Sequence, residues 1–93
     1  MQPKDIYVLV LEERARQNAK WGRQEHSYPE WISLLTEEVG EAATEANKCN
    51  WAQTYDVALR HQAELFDELI QCAAVVFQII EGMAEEAGDA RSA

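Results

Sequence analysis

The chain reads as all-α, a bundle of three helices. Strand signals, meaning short alternating runs rich in β-branched and aromatic residues, are almost absent. Apolar residues instead recur three and four apart over three long stretches. The only two prolines, Pro3 and Pro29, stand where helices begin. Proline suits that place because its missing N–H would have no helical partner there.

The first helix is expected over residues 3–20. Ile6, Leu9, Val10 and Ala15 give its apolar side, and Glu12, Glu13, Arg14 and Arg16 its wet side. Gly22 ends it or opens the next loop. The second helix starts at a capping box, Ser27 with Glu30 three residues on, and Pro29 fits its first turn. Trp31, Ile32, Leu34, Leu35, Val39, Ala42, Ala43 and Ala46 form a broad apolar face, and the helix is expected to end near residues 47–50. Gly40 costs this helix about 1 kcal/mol relative to Ala, which suggests close approach of another backbone. The third helix is expected to begin at residues 54–56 and to stop near Gly82 or Gly88. Leu65, Phe66, Leu69, Ile70, Ala73, Val76, Phe77 and Ile80 mark it as the most buried element. Residues 87–93 are small and polar and are expected to form a flexible tail. There is no internal repeat, so residues 1–93 make a single domain.

A chain of 93 residues buries only about 60–65% of the surface its unfolded form exposes. Helical chains of this size often complete their core with copies of themselves, so a homodimer or homotetramer is expected. A net charge of −9 argues against binding a nucleic-acid duplex through its phosphates, which needs a basic face. Cys49 and Cys72 are the only cysteines, and no Cys/His cluster suggests zinc. Cys72 lies in an apolar run and reads as a small buried hydrophobe. No basic-then-apolar leader and no apolar run approaching 18 residues occur. The expectation is a soluble cytoplasmic protein that does not engage a membrane.

Chemistry concentrates in two acidic clusters. Glu37, Glu38 and Glu41 lie on the second helix, and Glu64, Asp67 and Glu68 on the third, with Gln71 one turn on. Residues three and four apart share a helix face, and like charges there cost roughly 0.2–0.5 kcal/mol per pair. Such acids are often a solvated face. Here they flank apolar positions, and no Lys or Arg occurs in residues 37–46 or 63–83 to neutralise them. A divalent cation reverses the sign of the repulsion, and all-oxygen ligands suit Mg²⁺, Mn²⁺ or Ca²⁺.

Glu-Glu-x-x-Glu at residues 37–41, followed by Glu-x-x-Asp on a later helix, resembles the all-α nucleoside triphosphate pyrophosphohydrolases, the MazG-like superfamily. Upstream, Glu13-Arg14-x-Arg16-Gln17, then Lys20-Trp21-Gly22-x-Gln24-x-His26, and Trp31 are similar to its small phage and bacterial members. Residues 68–75, Glu-Leu-Ile-Gln-Cys-Ala-Ala-Val, are similar to that subgroup's third-helix motif. The resemblance spans residues 6–83. Two registers fit the second half of the motif. Glu64 with Asp67 matches it literally. Glu68 with Gln71 suits the flanking context better but puts Gln where Asp is usual.

The resemblance implies cleavage of an NTP or dNTP to the monophosphate and pyrophosphate, with Mg²⁺ as cofactor and Mn²⁺ as a substitute. In the second register it implies Glu38, Glu41 and Glu68 as metal ligands, with Gln71 as a neutral ligand or one layer out. Asp67 would supply the missing carboxylate. Glu37 is the candidate to orient or deprotonate the attacking water. Trp21 and Trp31 are candidates to stack on the base, with core packing the alternative for both. Lys20 and Arg23 are candidate phosphate contacts, Gln24 a reader of a base edge, and His26 a contact to base or phosphate or a helix cap. Trp51 and His61 read as packing or interface, and Arg60 as a partner of Asp56. Gln71 at the usual Asp position also admits a binding protein that lost turnover. A purely structural helical domain is the third possibility.

Overall fold

The computed structural model describes residues 1–92, with side chains described as far as Gly88. It contains three helices, α1 (Pro3–Trp21), α2 (Tyr28–Asn50) and α3 (Tyr55–Ser92), and no strand among the described residues. The starts and the α1 stop follow local chemistry. The Gln2 N–H donates to Asp5 Oδ2 at 2.8 Å ahead of α1. At α2 the Ser27 N–H donates to Glu30 Oε1 at 2.8 Å, and the Glu30 N–H donates to Ser27 Oγ at 3.3 Å. These bonds hold the Glu30 carboxyl below the ordinary carboxylate range. The Val57 N–H donates to Thr54 Oγ1 at 3.2 Å at the start of α3. Gly22 ends α1 at φ 69°, a backbone state that favours glycine.

α3 runs past both stops expected for it. A glycine ends a helix by adopting positive φ, and Gly22 is the only residue that does so among those described. Side chains also tie the far turns of α3 down. Arg14 Nη2 donates to Glu81 Oε2 at 3.0 Å, Arg23 Nη2 to Glu85 Oε2 at 2.7 Å, and Tyr28 Oη to Glu86 Oε2 at 2.9 Å. The tail expected at residues 87–93 therefore falls on the last turns of α3 and on Ala93, which lies outside the described residues. Asp56 and Arg60 are exposed and do not pair. A solvated i,i+4 pair is worth only about 0.3–0.5 kcal/mol, too little to hold two long side chains.

α3 is the spine. Its 38 residues span about 57 Å at 1.5 Å per residue, close to the longest dimension of the protein, 59 Å. The backbones of α1 and α2 approach α3 and not each other. The core is correspondingly small: Val10, Trp31, Ala42, Ala74 and Val75. Ala74 is fully enclosed, and the Tyr7 and Phe77 rings meet edge to face at 5.7 Å. α3 holds the largest share of buried and half-buried residues among those described, as expected, but part of its apolar face is open. Phe66, Leu69, Val76 and Ile80 are exposed, because two helices cover only part of its circumference. Nor does a second backbone approach Gly40, where an added Cβ would meet nothing within 4 Å.

Ala74 has no room to grow. Ala74→Leu should lower stability by about 1–3 kcal/mol through overpacking, read as a fall in Tm. An unchanged Tm would mean that α1 and α2 do not close on α3 at this level.

Candidate metal centre and adjoining cleft

The face that α2 turns to α3 carries Trp31, Glu38, Ala42, Glu45 and Cys49, at i, i+7, i+11, i+14 and i+18. α3 answers with His61, Leu65, Glu68, Cys72 and Val75 at i, i+4, i+7, i+11 and i+14. Carboxylates thus occupy positions that helical periodicity reserves for packing. Glu38, Glu41 and Glu68 converge there, with one carboxylate oxygen from each lying within 4.8 Å of the others. Of the two registers, the one beginning at Glu68 supplies the third carboxylate.

The environment of this triad favours protons or a cation over bare charge. Burial, then Glu41, Glu13 and Glu37 push the Glu38 carboxyl above its ordinary range. Burial, then the charge of Glu41 and a hydrogen bond with it, do the same to Glu68. Glu38 Oε2 and Glu68 Oε2 are buried with no hydrogen-bond partner, which is costly for a carboxylate. Burial and these same acids push the Cys72 thiol up, which disfavours its thiolate. The donor set fits a hard cation. All three groups offer oxygen, the donor that Mg²⁺, Mn²⁺ and Ca²⁺ take.

Further groups border the triad. Glu45 Oε2 meets His61 Nδ1 at 2.7 Å, and Lys48 Nζ lies 3.8 Å from Glu45 Oε1. Glu13, held by Arg16 Nη2 and Nε at 2.6 and 2.9 Å, brings a further acid from α1 close enough to act on Glu38. Sequence reasoning gave Glu45 and Glu13 no part in the site and left His61 as packing. The spacing did contain the signal: Glu45 is seven residues after Glu38, and His61 seven before Glu68. Asp67 and Gln71 stand apart from the triad. They line a hollow of 360 Å³ between α1 and α3, with Glu12, Glu13 and Arg16.

A cleft of 270 Å³ joins the triad through Glu38 and Glu37. Trp21 and Trp31 wall it, and Gln17, Gln24 and Gln78 supply three carboxamides. Trp21 is 57% exposed, so its ring is available, and Lys20 Nζ sits 4.7 Å from its centroid. Trp31 is buried, with His26 edge-on at 4.7 Å. Gln17 Oε1 is buried without a partner. His26, Gln24 and Arg23 also line a second hollow of 720 Å³ toward Glu81 and Glu85. Trp51 is exposed beside His61 at the turn between α2 and α3.

Among the described residues no helix is long and apolar enough to cross a membrane. No protein-family model matches the chain, and no curated protein or solved structure is significantly similar to it.

The raised carboxyls fix a sign. A carboxyl whose folded pKa is raised stabilises the fold below its unfolded pKa, and that contribution is lost as pH rises through the folded value. The metal-free protein should therefore lose Tm as pH rises above the ordinary carboxylate range and Glu38 and Glu68 ionise. Saturating Mg²⁺ should restore it, with a gap that widens as pH rises. A Tm indifferent to Mg²⁺ at neutral pH would contradict the assignment.

Proposed function

We propose that the protein is a Mg²⁺-dependent nucleoside triphosphate pyrophosphohydrolase of the MazG-like all-α type, able to use Mn²⁺. What carries this reading is one juxtaposition: three convergent carboxylates with orphaned oxygens, opening through Glu38 onto a cleft walled by indoles and carboxamides. The motif resemblance at residues 13–31, 37–41 and 68–75 supports it.

Glu38, Glu41 and Glu68 would hold the cation, which would polarise the phosphate oxygens and offset the charge that a triphosphate brings to an acidic site. Trp21 stacks on the base, and Gln24 bonds a base edge with Gln17 and Gln78 beside it. Lys20, beside the Trp21 ring, and Arg23, once released from Glu85, are the candidate phosphate contacts. Glu37 lines the cleft beside Glu38 and is exposed, so it takes the water's proton as that oxygen attacks phosphorus. The bond between the α and β phosphates breaks, leaving monophosphate and pyrophosphate. Trp31 and His26 brace the wall. Asp67 and Gln71, in the neighbouring hollow with Glu13, take no direct part in holding the cation in this reading. Free thiols at Cys49 and Cys72 suit a reducing cytoplasm. The small core fits a homodimer or homotetramer.

Gln71 at the usual Asp position favours a second reading, a nucleotide- and metal-binding regulator with weak turnover. Pyrophosphate release across a panel of NTPs and dNTPs, with and without Mg²⁺ or Mn²⁺, separates the two. Metal-dependent release supports the enzyme. Silence across the panel, with Mg²⁺ still raising Tm, supports the regulator.

Glu41→Gln should lower turnover by at least about 100-fold with the helical circular dichroism intact. It should also raise metal-free stability by removing repulsion. Full turnover in this variant would sink the metal-site assignment. Trp21→Ala should raise KM about 5- to 100-fold with kcat little changed, from the loss of one stacked ring. A large loss of Tm instead would make Trp21 a core residue.

A further inference from the structure

Glu45 is a fourth carboxylate beside the triad that takes no place in it. It stands one turn beyond Glu41 on the face that α2 turns to α3. Its charge reaches Glu68 and adds to the rise of that carboxyl. Yet the oxygens that converge belong, among the described residues, to Glu38, Glu41 and Glu68. Both oxygens of Glu45 are engaged elsewhere. His61 Nδ1 lies 2.7 Å from Oε2, and Lys48 Nζ lies 3.8 Å from Oε1. An ionised carboxylate only accepts, so the Nδ1–H of His61 is the donor.

The His61 bond is built into the fold. The side chains of Glu45 and His61 are 19% and 17% exposed, whereas those of Arg23 and Glu85 are 74% and 56% exposed. Water screens the first pair less, and a bond to a charged acceptor is stronger than a neutral one. It joins α2 to α3 across 16 residues of chain. One turn farther along α2 the Cys49 thiol donates to the Ala58 carbonyl at 3.4 Å and fixes the same stretch of both helices. The Lys48 contact is longer than a hydrogen bond and reaches from an exposed side chain. His61 is therefore the group that aims Glu45 away from the triad.

We infer that His61 sets which divalent cation the triad prefers, by holding Glu45 aside and limiting the site to three carboxylates. The inference rests on the cation site proposed above and is independent of the nucleotide chemistry. His61 acts through Glu45, so it is a positioning residue. The chemistry of the ions makes the count matter. Mg²⁺ demands near-ideal octahedral geometry and gives up water reluctantly, so it takes few carboxylates and keeps several waters. Ca²⁺ takes about six to eight oxygens in flexible geometry, and its affinity is tuned by the number of ligand charges. Three carboxylates, with orphaned oxygens on Glu38 and Glu68, suit the first ion. A fourth that swings in would add an oxygen pair and a negative charge, which suits the second. The reach is short, because residues four apart on a helix have Cβ atoms only about 5–6 Å apart.

Displacement of Mn²⁺ from the full chain by Mg²⁺ and by Ca²⁺, at one pH and without nucleotide, tests this. The quantity read is the ratio of the two displacing affinities. His61→Leu, which fills space without donating, should shift the ratio toward Ca²⁺ at least about 10-fold. His61→Asn, whose carboxamide nitrogen stands where Nδ1 did, should stay within about 2-fold of the wild type. Glu45→Gln added to His61→Leu should return the ratio to the wild-type value, a restoration that general damage to the helix pair would not give. Should His61→Leu lose its helical circular dichroism, His61→Ala is read in its place. An unchanged ratio in the folded variant, with Mn²⁺ still bound, overturns the role of His61 and leaves the cation site standing. A shift that survives Glu45→Gln overturns the role of Glu45 and with it the inference. A wild type that binds no Mn²⁺ saturably overturns the cation site and this inference together.

Discussion

Repulsion among three carboxylates in the layer between α2 and α3 is the constraint on which the rest depends. Glu38 and Glu68 stand where a helix pair would ordinarily place Leu or Ala, and burial makes their charges more costly. Proteins keep such an arrangement only when something offsets it. Protons do so at low pH, and in the reading proposed here a hard cation would do so at neutral pH, its binding coupled to the closure of α2 on α3. Ala42, buried one turn beyond Glu38, permits it because its small side chain lets the backbones come near enough for the oxygens to converge.

The same architecture makes the cleft. α1 and α2 both pack on α3, their backbones do not meet, and a cleft lies between them. Trp31 fills the floor of that gap while Trp21, at the end of α1, stays open at its rim. The turn after α1 must be tight, and Gly22 at positive φ allows it. The carboxylate cluster, the exposed Trp21 indole and three carboxamides along one cleft are the features on which the proposed nucleotide reading rests.

Much of this was legible in the sequence because the signals are local. The Ser27–Glu30 box and Pro29 mark the start of α2 through bonds made within four residues. Glu38, Glu41 and Glu68 could be singled out because no Lys or Arg stands within one turn to neutralise them. What was not legible depends on partners in space. Gly82 and Gly88 looked like helix stops, yet glycine stops a helix only through its φ, and Arg14, Arg23 and Tyr28 hold the last turns in place. Apolar residues on α3 announced burial without saying what would cover them. Asp67 is next to Glu68 in sequence, but one residue turns a helix by about 100°, enough to place it in a different hollow. Glu45 and His61 escaped notice because their meeting is made across two helices, 16 residues apart in sequence.

The central claim is that Glu38, Glu41 and Glu68 form one cation site. Titration of the protein with Mn²⁺, followed by electron paramagnetic resonance of the free ion, tests it without assuming any substrate. The account predicts saturable binding, competed by Mg²⁺, that weakens together in Glu38→Gln, Glu41→Gln and Glu68→Gln while Glu64→Gln binds as the wild type does. No saturable binding, or binding that Glu68→Gln leaves untouched, would contradict it.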